Sequence, residues 1–167
     1  FHDLETAFWI AGHKAITTPL AEGGHAVIER NANEDANKQL EQVKDCIAQG
    51  VDGIIVIPQD GESAVTIVNE AQAADVPIAV FNRPPSDLSK GIIVVADNKT
   101  IAEPAVDHIV EKALAAAPAD EKLNAIIVVG DLGDPNAVGR KDGFYAAINK
   151  HADRIDVTEV ASQWDAA

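Results

Sequence analysis

Four short polar stretches hold the side chains of this chain best suited to chemistry: Pro58-Gln59-Asp60, Asn82-Arg83, Gly130-Asp131-Leu132-Gly133-Asp134-Pro135-Asn136 and Ser162-Gln163-Trp164-Asp165. Taken singly, each reads equally well as a surface turn. Together they combine amide and guanidinium donors in fixed geometry, carboxylate acceptors and a large flat apolar ring. A neutral polyhydroxyl ligand needs that combination, because its hydroxyls require directed donors and acceptors while its carbon-bound hydrogens pack on aromatic faces.

Other chemistries find less support. The five histidines stand at positions 2, 13, 25, 108 and 151, with no pair at metal-ligand spacing and no His-Glu-x-x-His motif, so no metal and no cofactor is expected. Gly133 to Gly139 has the outline of a phosphate loop. It carries one residue too many between its glycines, lacks the following Lys-Ser/Thr, and contains an acid that would repel phosphate. A dinucleotide fingerprint and a Gly-x-Ser-x-Gly elbow are both missing from the sequence. A catalyst built on Asp60, Asp97 or Asp134 would need a base or nucleophile beside it, and none presents itself.

The polar stretches are placed by an alternation of helices and strands. Val76-Pro77-Ile78-Ala79-Val80-Phe81 is a continuous apolar run, which predicts a strand buried on both faces in a parallel sheet, with Asn82 and Arg83 at its carboxyl end. In open α/β sheets the ligand crevice lies outside those carboxyl ends. The spacing predicts helices over about 8–21, from Asn33, Glu34 or Asp35 to about 49, and over 62–74, 98–116 and 136–150. It predicts strands over 25–29, 53–57, 76–81, 92–95, 125–129 and 157–160. Pro19 is expected to kink or end the first helix, and Pro104 to be tolerated near the start of the fourth. The chain opens on a helix where a doubly wound unit opens on a strand, and it stops where another helix is expected, so both ends read as cut and apolar core is expected to be exposed.

Composition narrows the partners. The chain has 167 residues, 47% hydrophobic and 24% charged, and no apolar run near the roughly 20 residues that a membrane-spanning helix needs. Thirteen basic against 27 acidic residues give a net charge of -14, which would repel nucleic acid and anionic lipid surfaces. Cys46, the single cysteine, reads as a small apolar residue on a helix. The first residues are neither basic nor followed by an uninterrupted apolar stretch, so they do not read as a signal peptide.

These residues resemble the periplasmic sugar-binding proteins of bacterial ABC transporters, most closely the galactose/glucose-binding branch. Glu5-Thr6-Ala7-Phe8-Trp9 with Lys14-Ala15-Ile16 is similar to the first loop and helix of that family, and Gln49-Gly50-Val51-Asp52-Gly53-Ile54-Ile55 is similar to its most recognisable run. Asn82-Arg83 matches the pair that hydrogen-bonds sugar hydroxyls. Asp134-Pro135-Asn136 and Arg140 match a loop and helix start of the second lobe, and Gln163-Trp164-Asp165 matches the second stacking aromatic. The resemblance departs at Thr6 and Asn136, where that branch places acids, and at Val138, where the ribose-binding branch has a ligand arginine. The branch's calcium loop is absent from 117–123.

The resemblance implies an α/β, two-lobed fold of the type I periplasmic-binding kind with parallel sheets flanked by helices, present here as an incomplete portion. Residues 1–96 would be the N-terminal lobe without its first strand, and 97–167 the truncated beginning of the C-terminal lobe. It implies ligand contacts from Phe8, Trp9, Asn82, Arg83, Asp134, Asn136, Arg140 and Trp164, with Phe8 and Trp164 on opposite faces of a monosaccharide or polyol. It further implies a monomeric, non-enzymatic receptor that meets a membrane permease and works in the periplasm, or outside the cell on a lipid anchor in a Gram-positive source. The same fold serves as the effector domain of LacI-type sugar-responsive regulators, a reading that the acidic charge and the lack of a basic headpiece disfavour.

Overall fold

The computed structural model describes Phe1, residues 7–162 and Trp164. Thr6, Gln163 and Asp165, which the resemblance touches, lie outside the described residues, as does most of the segment where a last helix is expected. The chain forms two compact units, Phe1–Val95 and Ala96–Ala167, described in turn.

The first unit runs α1 (Ala7–Glu22), α2 (Ala36–Ala48), β1 (Ile54–Val56), α3 (Gly61–Ala73), β2 (Ile78–Phe81) and β3 (Ile92–Val94). Of the three candidates for the start of α2, Asp35 is the cap: its carboxylate accepts from Lys38 N at 3.0 Å. Gly50, at φ 75°, lets the chain turn out of that helix. Asp60 caps α3 by accepting from Glu62 N and Ser63 N at 3.0 and 2.7 Å. Pro19 does not end α1, which continues to Glu22. The strands are parallel in the order β1-β2-β3, with Ile54 opposite Ile78 and Val80 opposite Ile93. One face packs Val56, Ile78 and Val80 against Val43, Ile67, Val68 and Ala71 of α2 and α3.

Two expectations fail here. Residues 25–29 form no strand, because a strand needs a ladder partner and a cavity of about 630 Å³ separates them from the outer edge of β1. Val27, Ile28, Val43, Ile54 and Val56 are among its walls. The segment is tied instead by a 2.6 Å contact from Glu29 to His13 of α1, and by the Phe1 amine donating to Arg30 O at 2.9 Å. That amine is desolvated, which lowers its pKa from 8.0. The strands are also not buried on both faces: Ile55, Ile92 and Val94 point outward into solvent, since helices α2 and α3 pack on the opposite face.

The second unit runs α4 (Asn98–Ala116), β4 (Leu123–Val129), α5 (Pro135–Ile148), a 3-10 turn (Asn149–His151) and β5 (Ile155–Ala161), with β4 and β5 parallel and Leu123 opposite Ile155. Asp97 caps α4, accepting from Thr100 N at 3.0 Å and from Thr100 Oγ1 at 2.7 Å. Pro104 lies inside α4 and removes one bond from a helix of 19 residues, a loss the rest of the helix absorbs. Val110 and Ile148 pack on Ile127, Val129 and Ile155, while the other face of β4 leaves Ile126 71% and Val128 61% exposed. Glu159 of β5 holds α5 through Lys141 Nζ at 2.8 Å and Tyr145 OH at 2.9 Å. These bonds lower the carboxyl pKa and raise those of the lysine and the tyrosine.

Helices α4 and α5 meet closely because of two glycines. A Cβ at Gly143 would sit 2.7 Å from Lys99 O and 2.9 Å from Ala102 Cβ, and one at Gly139 would sit 3.3 Å from Asn98 Cβ. Gly143→Ala is therefore expected to force the helices apart and destabilise the unit by about 1–3 kcal/mol, read as a lower denaturation midpoint by circular dichroism. An unchanged midpoint would show that the helices do not pack as described. The Thr100 hydrogen bonds also depress the Asp97 pKa below its ordinary 3.8. A depressed acid stabilises the fold above its unfolded pKa and loses that contribution as pH falls through the folded value. Below about pH 4 the wild type should thus lose stability faster than Asp97→Asn, whose cap does not titrate.

Candidate functional site

In the first unit the predicted residues gather around one guanidinium. Arg83 follows β2 and is only 7% exposed. Its Nη1 donates to Gln59 O at 2.7 Å and to Pro58 O at 3.5 Å, and its Cζ lies 5.9 Å from the centre of the Trp9 ring. A buried cation requires acceptors, and these carbonyls together with the indole face supply them. Trp9 is itself buried, and Phe8 packs edge-on against it at 4.7 Å while staying 60% exposed. Of the two aromatics, Trp9 therefore supports the arginine and Phe8 presents a ring. Asn82 takes φ 70°, a left-handed conformation that asparagine tolerates better than most residues, and its N–H donates to Val94 O at 2.9 Å. Its identity thus has a backbone reason as well as a chemical one.

In the second unit the same ingredients recur. Asp134 is buried and caps α5, accepting from Asn136 N at 2.9 Å. Asn136 is buried one turn into the loop-to-helix junction, and its Oδ1 accepts from Asn98 Nδ2 at 2.7 Å. Arg140 Cζ lies 5.9 Å from the centre of the Trp164 ring. That ring is 49% exposed and lies flush on Gly130, where a Cβ would come within 2.4 Å of the indole. Trp164 takes φ 64°, costly for a bulky residue by about 1–3 kcal/mol, and strain of this kind concentrates at functional positions. The three aspartates weighed as catalysts, Asp60, Asp97 and Asp134, are all helix caps.

Three residues that matter to this geometry carry weak sequence signals. Gln39 is buried, donates to Ile57 O at 2.9 Å and accepts from Gln59 N at 3.0 Å, thereby fixing the loop whose carbonyls hold Arg83. Its trace in the sequence is a polar side chain four residues before Val43, on the core face of α2. Gln59 Oε1 is buried without a hydrogen-bond partner. Asn98 reads as the tail of a turn, and its partner stands 38 residues away.

The architecture, parallel strands followed by polar loops and capped helices, defines a class of α/β ligand-binding folds. The match to the family model "periplasmic binding protein domain" extends over residues 1–167, and the chain belongs to that family, which consists of binding proteins and not enzymes. It is 31% identical over 109 residues to the ribose import binding protein of Bacillus subtilis, covering 65% of this chain and 36% of that protein. To the D-xylose-binding periplasmic protein of Escherichia coli it is 22% identical, covering 97% and 47%. Among solved structures, a galactofuranose binding protein superposes with a TM-score of 0.83 at 22% identity, covering 97% of this chain and 54% of that one. The myo-inositol binding protein of Caulobacter superposes at 0.84 with 18% identity, covering 96% and 53%. The chain thus spans about half the length, or less, of these proteins.

The contact between Trp164 and Gly130 gives a direct test. Gly130→Ala should lift the indole off its seat and shift its fluorescence to the red, and an unchanged emission spectrum would mean that the ring does not rest there.

Proposed function

We propose that this chain supplies ligand-binding residues of an extracytoplasmic receptor that takes a monosaccharide or polyol between two lobes and passes it to an ABC permease. The observation that carries this reading is the recurrence, in both units, of an aromatic ring beside a guanidinium at the carboxyl end of a strand: Trp9 with Arg83, and Trp164 with Arg140. In each unit a second exposed or strained feature, Phe8 or the Trp164 backbone, has no packing role that explains it. We assign the first unit to one lobe and the second to the other. Phe8 and Trp164 supply stacking faces, and Asn82, Arg83, Asp134, Asn136 and Arg140 supply donors and acceptors for hydroxyls. Family membership and the sugar-binding names of the relatives support the ligand class and the location outside the cytoplasm. Closure of the lobes would shift an open population to a closed one, which a monomer can present to the permease.

Calorimetric titration of the intact protein with D-ribose, D-xylose, D-galactose and myo-inositol tests this reading. At least one should bind, and Trp164→Ala and Arg140→Ala should each weaken it by about 10- to 100-fold, the range expected for losing a stacking face or a charged hydrogen bond. No binding, or affinities unchanged in both variants, would contradict the reading.

A further inference from the structure

Asn98 is the third residue of the second unit, at the start of α4, and lies outside the set of residues proposed to touch ligand. Its Nδ2 donates both to Ala96 O at 3.1 Å and to Asn136 Oδ1 at 2.7 Å. A backbone carbonyl can only accept, so the end of the Asn98 amide facing Ala96 is its NH2. That same NH2 reaches Asn136, whose facing atom must in turn be an acceptor. Turning Asn98 over would set its oxygen against two others, and turning Asn136 over would set two NH2 groups against each other. The orientation of both amides is thereby fixed by one carbonyl of the main chain.

Two further contacts hold the pair in place. Gly139 admits Asn98 to the surface of α5, since a Cβ there would already press on Asn98 Cβ at 3.3 Å. Asp134 fixes the backbone of Asn136 from the other side through its cap. With its oxygen committed to Asn98, Asn136 turns the NH2 end of its amide away from α4.

We propose that Asn98 is a positioning residue that makes Asn136 a hydrogen-bond donor to the ligand. The inference rests on the sugar-binding reading and sharpens it: at this point the site takes a ligand oxygen that accepts, such as a hydroxyl lone pair, a ring oxygen or a carbonyl. A carboxylate at position 136 would receive the same bond from Asn98 but could offer the ligand only acceptors.

Two measurements on the intact protein separate this proposal from the broader reading. Nuclear Overhauser contacts in the unliganded wild type should place the Asn98 Nδ2 protons beside Asn136, and the Asn136 Nδ2 protons away from the Asn98 side chain. The reverse placement overturns the proposal whatever sugars bind. Titrations with D-ribose, D-xylose, D-galactose and myo-inositol should then show that Asn98→Asp, which keeps shape but reverses polarity, weakens binding by about tenfold or more and turns the Asn136 NH2 toward residue 98. Asn98→Ser, which retains a hydroxyl donor, should recover part of that affinity. If Asn98→Asp lowers the thermal midpoint but leaves every affinity unchanged, the residue is structural only and the proposal fails. If none of the four sugars binds the wild type, the sugar reading fails, while the amide orientation is still decided by the contacts.

Discussion

A guanidinium cannot be taken out of water without acceptors, and the first unit is arranged around meeting that condition for Arg83. The carbonyls of Pro58 and Gln59 reach it from the loop after β1, and the ring of Trp9 reaches it from α1. That loop is pinned in turn by the buried Gln39 of α2. Three elements distant in sequence therefore converge on the end of β2. Leaving such a cation unpaired would cost several kcal/mol, so the convergence is a requirement of folding as well as a preparation for ligand. The position of Asn82, next in line on the same turn, follows from it.

The second unit reaches a similar arrangement by other means. Small residues replace the buried cation as the organising device: Gly139 and Gly143 bring α5 onto α4, and Gly130 leaves room for the indole of Trp164. Close approach of the helices sets Asn98 against Asn136, and the missing side chain at Gly130 sets the indole beside Arg140. In both units an aspartate at the carboxyl end of a strand caps the following helix, so the carboxylates that look catalytic in isolation are already committed to backbone N–H groups.

How much of this could be read from the chain alone depends on the range of the interaction involved. The α/β alternation and the polar loops at strand ends were legible because apolar runs, capping aspartates and glycine stops act over a few residues. The strand expected at 25–29 was not, because a strand exists only through its neighbour, and here a cavity takes the neighbour's place. Burial on both faces was wrongly inferred from continuous apolar runs: Ile126 and Val128 are as apolar as Ile127 and Val129, yet they face solvent. Phe8 and Trp9 could be named together from their types, but only packing distinguishes the presented ring from the buried one. Asn98 was illegible as a site element because its meaning lies in a bond to a residue one strand and most of a helix away.

The central claim is that both units, each through its own aromatic and guanidinium, grip the same small ligand. Hydrogen exchange of the intact protein, followed with and without a saturating sugar that binds it, tests that claim most directly. The account predicts slowed exchange at two separate places, the turn at 82–83 and the loop and helix start at 134–140. Protection confined to one unit, or appearing instead around the cavity between 25–30 and β1, would contradict it.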